Sequence, residues 1–192
     1  MPRAGLSEDR VVLEAERIVD EVGLSRLTLA ALAESLGVRQ PSLYKHIEGM
    51  DGLQRSIAVR AKLELADVLG RAAVGKSRAD AVRAVCLAYR GWALEHPGRY
   101  SATVRAPAPG DDDDLAASGA AVEVVFGVLS GYGLEGDAAV DATRAMRASL
   151  HGFLALEAAG GFALPRDLGR SYDHLVDGLV AALEADSYGS HS

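Results

Sequence analysis

The segment from Thr28 to Ile47 constrains this chain more than any other, because it sets two helix signals and a turn within a few residues. It reads TLAALAESLGVRQPSLYKHI. The Thr28 hydroxyl can cap a helix start, and Leu29, Leu32, Ala33 and Leu36 then share one helical face. Gly37 permits the positive φ of a tight turn after that helix. Pro41 suits the first position of a new helix, where its missing N–H costs nothing. Leu43 and Ile47, four apart, would bury the second helix against the first and leave Ser42, Tyr44, Lys45 and His46 on its other face. Two short helices, a glycine-containing turn and an outward polar, aromatic and basic face make a helix-turn-helix.

The rest of the chain has helical periodicity. Val11, Ala15, Ile18, Val19 and Val22 form an apolar row, with Ser7 as its N-cap, Glu8 and Asp9 in the first turn and Gly23 as its stop. A helix is expected from about Met50 to Gly70, with Leu53, Ile57, Ala61, Leu65 and Leu69 facing inward. Residues 70–77 read as a connector. Val82, Val85, Cys86, Tyr89, Trp92 and Ala93 mark a further helix that stops at His96-Pro97-Gly98. Residues 105–119 read as a mobile acidic loop or the start of a helix, followed by Val122–Leu129 and an Ala-rich helix from about Asp137 to Ala159. Tyr172, Leu175, Val176, Leu179, Val180 and Leu183 pattern a last helix before a frayed SYGSHS tail. The expected fold is all-α, about nine helices, with a three-helix helix-turn-helix domain over 1–49 and a helical bundle over 50–192.

Charge sharpens the functional reading. The net charge is -7, yet residues 1–62 are neutral, and the stretch 24–47 sets Arg26, Arg39 and Lys45 against Glu34 alone. A locally positive face suffices for site-specific DNA binding, whereas an acidic chain argues against a non-specific nucleic-acid coat. No apolar run reaches the length of a membrane span, and MPRAGLSEDRVV has charges where a signal peptide needs apolar residues. The expected location is cytoplasmic, with no membrane partner. The single cysteine, Cys86, cannot form an internal disulfide or a multi-cysteine zinc site.

Leu27-Thr28, Ala33, Leu36-Gly37-Val38, Leu43-Tyr44, His46-Ile47 and Leu53 together resemble the DNA-binding quarter of the tetracycline-repressor-like (TetR) family of transcriptional regulators. More loosely, Trp92, the run Glu95-His96-Pro97-Gly98-Arg99-Tyr100, and Leu150-His151-Gly152-Phe153 with Leu156-Glu157 resemble a WHG-type ligand-binding class within it. The resemblance implies a homodimeric repressor on a palindromic operator in double-stranded DNA, released by a small molecule. Two positions depart from the family pattern. Met50 stands where a phosphate-contacting Lys is common, and Met146-Arg147-Ala148 occupies the region where a Trp often precedes the His-Gly pair.

On this reading Thr28, Arg39, Gln40, Ser42, Tyr44, Lys45 and His46 contact DNA. Lys45, Tyr44 and Thr28 suit phosphates, while Arg39 and Gln40, near the start of the recognition helix, suit guanine and adenine edges. Tyr89, Trp92, Tyr100, Phe126, Met146, His151 and Phe153 are the candidate lining for an apolar or aromatic effector, weighed against simple core packing. Rows of small residues (Ala155, Ala158, Ala159; Gly178, Ala181, Ala182) with Leu175, Leu179 and Leu183 are the candidate two-fold interface. No cofactor, metal or catalytic residue is expected.

Two other readings compete. An enzyme would use the Gly131–Gly136 turn, which formally matches G-x-G-x-x-G, or the Asp111–Asp114 run as a cation site. The turn lacks the parallel strands a dinucleotide fold needs, and a solvated charge run is the favoured reading of the aspartates. A helical adaptor would use the N-terminal unit for protein contacts. Cys86, on an apolar face, reads as a buried and inert thiol.

Overall fold

In the computed structural model residues 6–189 are described, with side chains through Ser187. Among them the chain is all-helical, with eight α-helices, two short 3-10 segments and no strand. The helices are α1 (Glu8–Val22), α2 (Leu29–Leu36), α3 (Gly49–Ala73), α4 (Arg78–Glu95), α5 (Pro97–Thr103), α6 (Asp112–Ser130), α7 (Gly136–Ala158) and α8 (Leu168–Gly189). The 3-10 segments are Leu24–Arg26 and Gln40–Lys45. No described helix is long and apolar enough to cross a membrane.

The chain divides into two compact units. The first comprises the residues up to Glu64 together with Ala93–Gly119, and the second comprises Leu65–Trp92 together with the residues from Ala120 onward. Helices α3, α4 and α6 therefore each contribute to both.

The first unit is built on α1. Ser7 accepts from the Arg10 N–H and caps it, with Glu8 and Asp9 in the first turn against the positive end of the helix dipole. Its inner row, Val11, Val12, Ala15, Ile18 and Val19, meets Leu27, Leu32, Ala33, Leu43, Ile47, Leu53, Ile57 and Ala58 in one core. Ala102 of α5 belongs to the same cluster, some 40 residues beyond the other members. Polar ties supplement the packing. Arg17 of α1 pairs with Glu14 and Glu21 and donates to Ser35 of α2 at 3.2 Å. Arg60 of α3 pairs with Glu16 of α1 at 2.9 Å.

The second unit buries the expected rows of α4 (Val82, Val85, Cys86, Trp92) and α8 (Tyr172, Val176, Val180, Leu183) with Met146, Leu150 and Leu154 of α7. Tyr172 is sealed inside and donates its hydroxyl to the Cys86 carbonyl at 2.7 Å. Arg90 makes a two-pronged pair with Glu157 and lies over the Tyr172 ring, 5.1 Å from its centroid.

Several sequence-based expectations need correction. Half of the connector proposed for residues 70–77 is helix, because α3 continues to Ala73, and the chain turns only over 74–77. The helix marked by Val82 to Ala93 does stop before His96-Pro97-Gly98, at Glu95, but Pro97 then opens a further short helix, α5, in the position a proline favours. The helix expected from Val122 begins ten residues earlier, at Asp112. Consequently the acidic run is not a solvated loop. Asp111 accepts from the Asp114 N–H and caps α6, while Asp112–Asp114 occupy the first turn, where the helix dipole favours negative charge. Asp111 receives two bonds from Arg55 of α3, and Asp114, 0% exposed, pairs with buried Lys62 at 2.5 Å. Hydropathy patterning reads aspartates as outward; here three of the four, Asp111, Asp113 and Asp114, meet a cation of α3. In the tail, α8 includes residues 187–189, and the last three residues of SYGSHS lie outside the described residues.

Breaking the Lys62–Asp114 pair on one side leaves a buried charge uncompensated. Asp114→Asn is expected to lower unfolding stability in urea by about 3–5 kcal/mol, whereas Lys62→Met combined with Asp114→Leu should cost far less. The Arg55 guanidinium, hydrogen-bonded to Asp111, holds that carboxyl down at about 2. A depressed carboxyl contributes stability at pH values above its unfolded value of about 4 and loses it as pH falls toward 2. Asp111→Asn should therefore flatten the acid limb of a pH–stability curve in that window.

Candidate nucleic-acid interface

Thr28 is the N-cap of α2: its backbone is extended, and its Oγ1 accepts from the Ala31 N–H at 3.1 Å. That uses one lone pair, so the exposed hydroxyl still has its own hydrogen to donate outward. Gly37 ends α2 in the left-handed region (φ 67°), and the Val38 N–H reaches back to the Ala33 carbonyl at 2.9 Å. This double closure of the helix end reverses the chain within the Gly37–Arg39 turn.

The second helix of the motif differs from expectation in type. Gln40–Lys45 is a 3-10 segment, with Pro41 in its first turn, and not an α-helix. With three residues per turn, side chains eclipse at every third position. Leu43 points inward and is 0% exposed, while its neighbours Tyr44 and Lys45 are exposed, as is Gln40 at the start of the segment. The Ile47 N–H closes on the Leu43 carbonyl at 3.1 Å, and both side chains are buried as the spacing predicted.

The sequence-predicted contact residues come together here. Thr28, Arg39, Gln40, Tyr44 and Lys45 are exposed, and Ser42 and His46 are half-buried. Tyr44 is 57% exposed, an unusual placement for a large aromatic ring that packs against nothing else in the core. Met50 is half-buried against the same core, so this position serves packing.

The electrostatics of the face follow from which cations are already engaged. In the first unit Arg17, Arg55, Arg60, Lys62 and Arg99 all sit in ion pairs with acids of their own unit. Arg26 donates to the Val22 carbonyl at 2.5 Å. Among the described residues Arg39 and Lys45 take part in no ion pair. Two of the three cations counted in residues 24–47, Arg39 and Lys45, are thus exposed at the two ends of the recognition segment.

The candidate effector residues are distributed differently. Tyr89, Trp92, Phe126, Met146, His151 and Phe153 lie in the second unit, and Tyr100 lies in the first. Trp92 and Met146 are buried, and Tyr89, Phe126, His151 and Phe153 are half-buried. Phe153 stacks at 4.8 Å on Phe162 and meets Tyr172 edge-on at 5.2 Å. Phe162 and Tyr172, which contact it, were not in the predicted set, although Tyr172 heads the apolar row of α8. Of the residues offered for a two-fold interface, the six small ones are exposed and Leu175 and Leu179 half-buried. Leu183 is buried within its own unit and offers no surface.

Gly131–Gly136 falls in the link between α6 and α7, and Val122–Val128, the run that preceded it as a strand candidate, is helical. No cluster of three or more metal-ligating side chains occurs among the described residues. The Gly-rich turn therefore follows a helix and not a strand.

A helix-turn-helix with an uncompensated basic, aromatic outer face, followed by helices throughout, defines a DNA-binding transcriptional regulator. Residues 82–179 match the family described as tetracyclin repressor-like, C-terminal domain. The chain is 42% identical over 158 residues to the uncharacterized HTH-type transcriptional regulator Rv0681 of Mycobacterium tuberculosis, covering 82% of this chain and 72% of that protein. It is 30% identical over 182 residues to the uncharacterized HTH-type regulator YobS of Bacillus subtilis, covering 95% of each. The chain belongs to the tetracycline-repressor-like family. Its fold is also that of a TetR from Acinetobacter baumannii AYE solved with minocycline (TM-score 0.71, 22% identity, 95% of this chain and 99% of that one). It is likewise similar to ActR of Streptomyces coelicolor solved with (S)-DNPA (TM-score 0.67, 20% identity, 96% and 100%).

Cys86 fits the inert reading: burial pushes its thiol up to about 12. A thiol reagent at pH 8 should leave the native protein unlabelled and modify one group per chain after denaturation, a difference read directly by mass spectrometry.

Proposed function

We propose that this regulator is a cytoplasmic homodimeric repressor that binds a palindromic operator and leaves it when a small apolar or aromatic effector binds. The observation that carries the DNA-contact assignment is the exposed face of Arg39–Lys45, backed by buried Leu43 and bearing two cations, Arg39 and Lys45, that are in no ion pair among the described residues. Lys45, Tyr44 and Thr28 hold phosphates, and Arg39 and Gln40 reach base edges. Ser42 and His46, half-buried beside them, complete the contact set.

In this reading residues 1–49 are the DNA reader and 50–192 provide sensing and dimerisation. Effector binding is assigned to Tyr89, Trp92, Tyr100, Phe126, Met146, His151 and Phe153. The family membership and the small molecules present in the minocycline and (S)-DNPA structures support an aromatic effector class. The effector acts only through its differential affinity for the DNA-competent and DNA-incompetent conformers. The outward rows Ala155, Ala158, Ala159 and Gly178, Ala181, Ala182 allow close approach of a second copy. A two-fold axis places the readers about 34–36 Å apart, on successive major-groove faces. The reading assigns no cofactor, metal or catalytic residue to the chain.

A gel-shift series with DNA from upstream of its own gene, repeated across salt concentrations, tests the assignment. Lys45→Ala should weaken binding to all sequences alike and reduce the salt slope by about 1. Arg39→Ala and Gln40→Ala should instead relax base preference, each by about 1–3 kcal/mol at one position. Identical profiles for all three variants would overturn the division of roles, and absence of sequence-preferring binding by the unaltered protein would overturn the reading.

A further inference from the structure

The link between α1 and α2 holds a cation outside the contact set assigned above. Arg26 ends the 3-10 segment Leu24–Arg26, two residues before the Thr28 cap of α2. Leu27, between them, is 5% exposed, and its backbone is extended, as is that of Thr28. In extended backbone successive side chains point to opposite sides. With Leu27 fixed in the core, Arg26 and Thr28 therefore share the outward side, and both are exposed.

The Arg26 guanidinium is held by one edge. Its Nε donates to the Val22 carbonyl at 2.5 Å. Val22 is the last residue of α1, and its carbonyl is one of those a helix end leaves without a partner inside the helix. That carbonyl is neutral, so the bond orders the side chain without cancelling its charge. Among the described residues Arg26 takes part in no ion pair, in contrast to Arg17, Arg55, Arg60 and Arg99 of the same unit. Beside it lies the positive end of the α2 dipole, with no acid in the first turn. The Thr28 hydroxyl, which accepts from the Ala31 N–H, keeps its own hydrogen to donate outward. A planar cationic fork ordered in advance, next to a hydroxyl donor and a helix start, suits one kind of ligand group: a phosphate oxygen.

We propose that Arg26 is a phosphate-binding residue of the DNA interface, gripping through its Nη groups the same stretch of nucleic-acid backbone that the Thr28 hydroxyl meets. It fixes position and reads no base. The inference rests on the DNA-binding reading above and adds to it a contact from the link before α2. Capping of α1 alone is the competing role, and side-chain length separates the two. The amide nitrogen of glutamine stands as many bonds from Cα as Nε of arginine. Arg26→Gln therefore keeps a donor for the Val22 carbonyl and loses only the charge and the Nη groups.

Titration of the full-length protein with DNA from upstream of its own gene, across salt concentrations, tests it. Arg26→Gln should melt like the unaltered protein, bind all sequences roughly tenfold more weakly and keep the same preferred bases. The slope of log affinity against log salt should fall by about 0.9 for each chain bound. Replacing operator phosphates one at a time by neutral methylphosphonate should find a position that weakens the unaltered protein by a similar factor and leaves the Arg26→Gln protein unaffected. Should Arg26→Gln fail to fold, Arg26→Ala carries the same expectation for affinity, slope and the methylphosphonate position. Unaltered affinity and slope in the variant, a changed base preference, or methylphosphonate profiles that run parallel for the two proteins overturn the proposal. In each of those cases loss of binding in Lys45→Ala still upholds the DNA-binding reading. Absence of sequence-preferring binding by the unaltered protein overturns that reading and the inference with it.

Discussion

Burial of Leu43 in the core formed by α1, α2 and the start of α3 is the constraint on which the functional surface depends. In a 3-10 segment adjacent residues point about 120° apart, so burying Leu43 turns its neighbour Tyr44 away from the interior. Leu43 is packed among Val11, Leu32, Ile47 and Leu53, so Tyr44 and Lys45 have no inward alternative. Apolar burial is non-directional, yet here it sets direction, because the helix end at Gly37 and the ring of Pro41 fix where the segment starts. The outward side chains are therefore held in place from behind, by residues of the core.

Electrostatics then separates scaffold from surface. The first unit is rich in arginine, but most of its cations are spent on neighbouring helices: Arg17 on Glu14 and Glu21, Arg60 on Glu16, Arg55 on Asp111, Lys62 on Asp114. Pairs such as Arg17–Glu21 are half-exposed and contribute little to stability, whereas Lys62–Asp114 is dry and strongly punishes the loss of either partner. The outcome that matters for function is the remainder. Once the internal pairs are formed, Arg39 and Lys45, one at each end of the recognition segment, are among the cations that remain outside them.

Much of this was legible in the sequence, and the reasons for the exceptions are physical. The caps at Ser7 and Thr28, the turn at Gly37, and the inner rows of α1, α3, α4 and α8 follow from local spacing and were read correctly. The recognition segment was expected to be α-helical because Leu43 and Ile47 lie four apart, but that spacing also fits a 3-10 segment finished by one wider turn. The Asp111–Asp114 run was read as solvated because its partners, Arg55 and Lys62, stand on a helix more than 50 residues away. That only glycine fits at position 98 was invisible for the same reason: a Cβ on Gly98 would stand 2.0 Å from the Val19 carbonyl oxygen of α1. Periodicity reports one face of one helix, and these features depend on what another helix brings to it.

The brevity of the recognition segment carries its own consequence. Six residues rising about 2.0 Å each span roughly 12 Å, the length of some three or four base-pair steps. A word that short recurs by chance throughout any chromosome, which offers on the order of a million or more competing sites. No improvement in side-chain chemistry on so small an element can supply the missing information. Duplicating the word does, since requiring two copies at a set interval multiplies their rarities, and that is the information the proposed two-fold pairing of readers would supply.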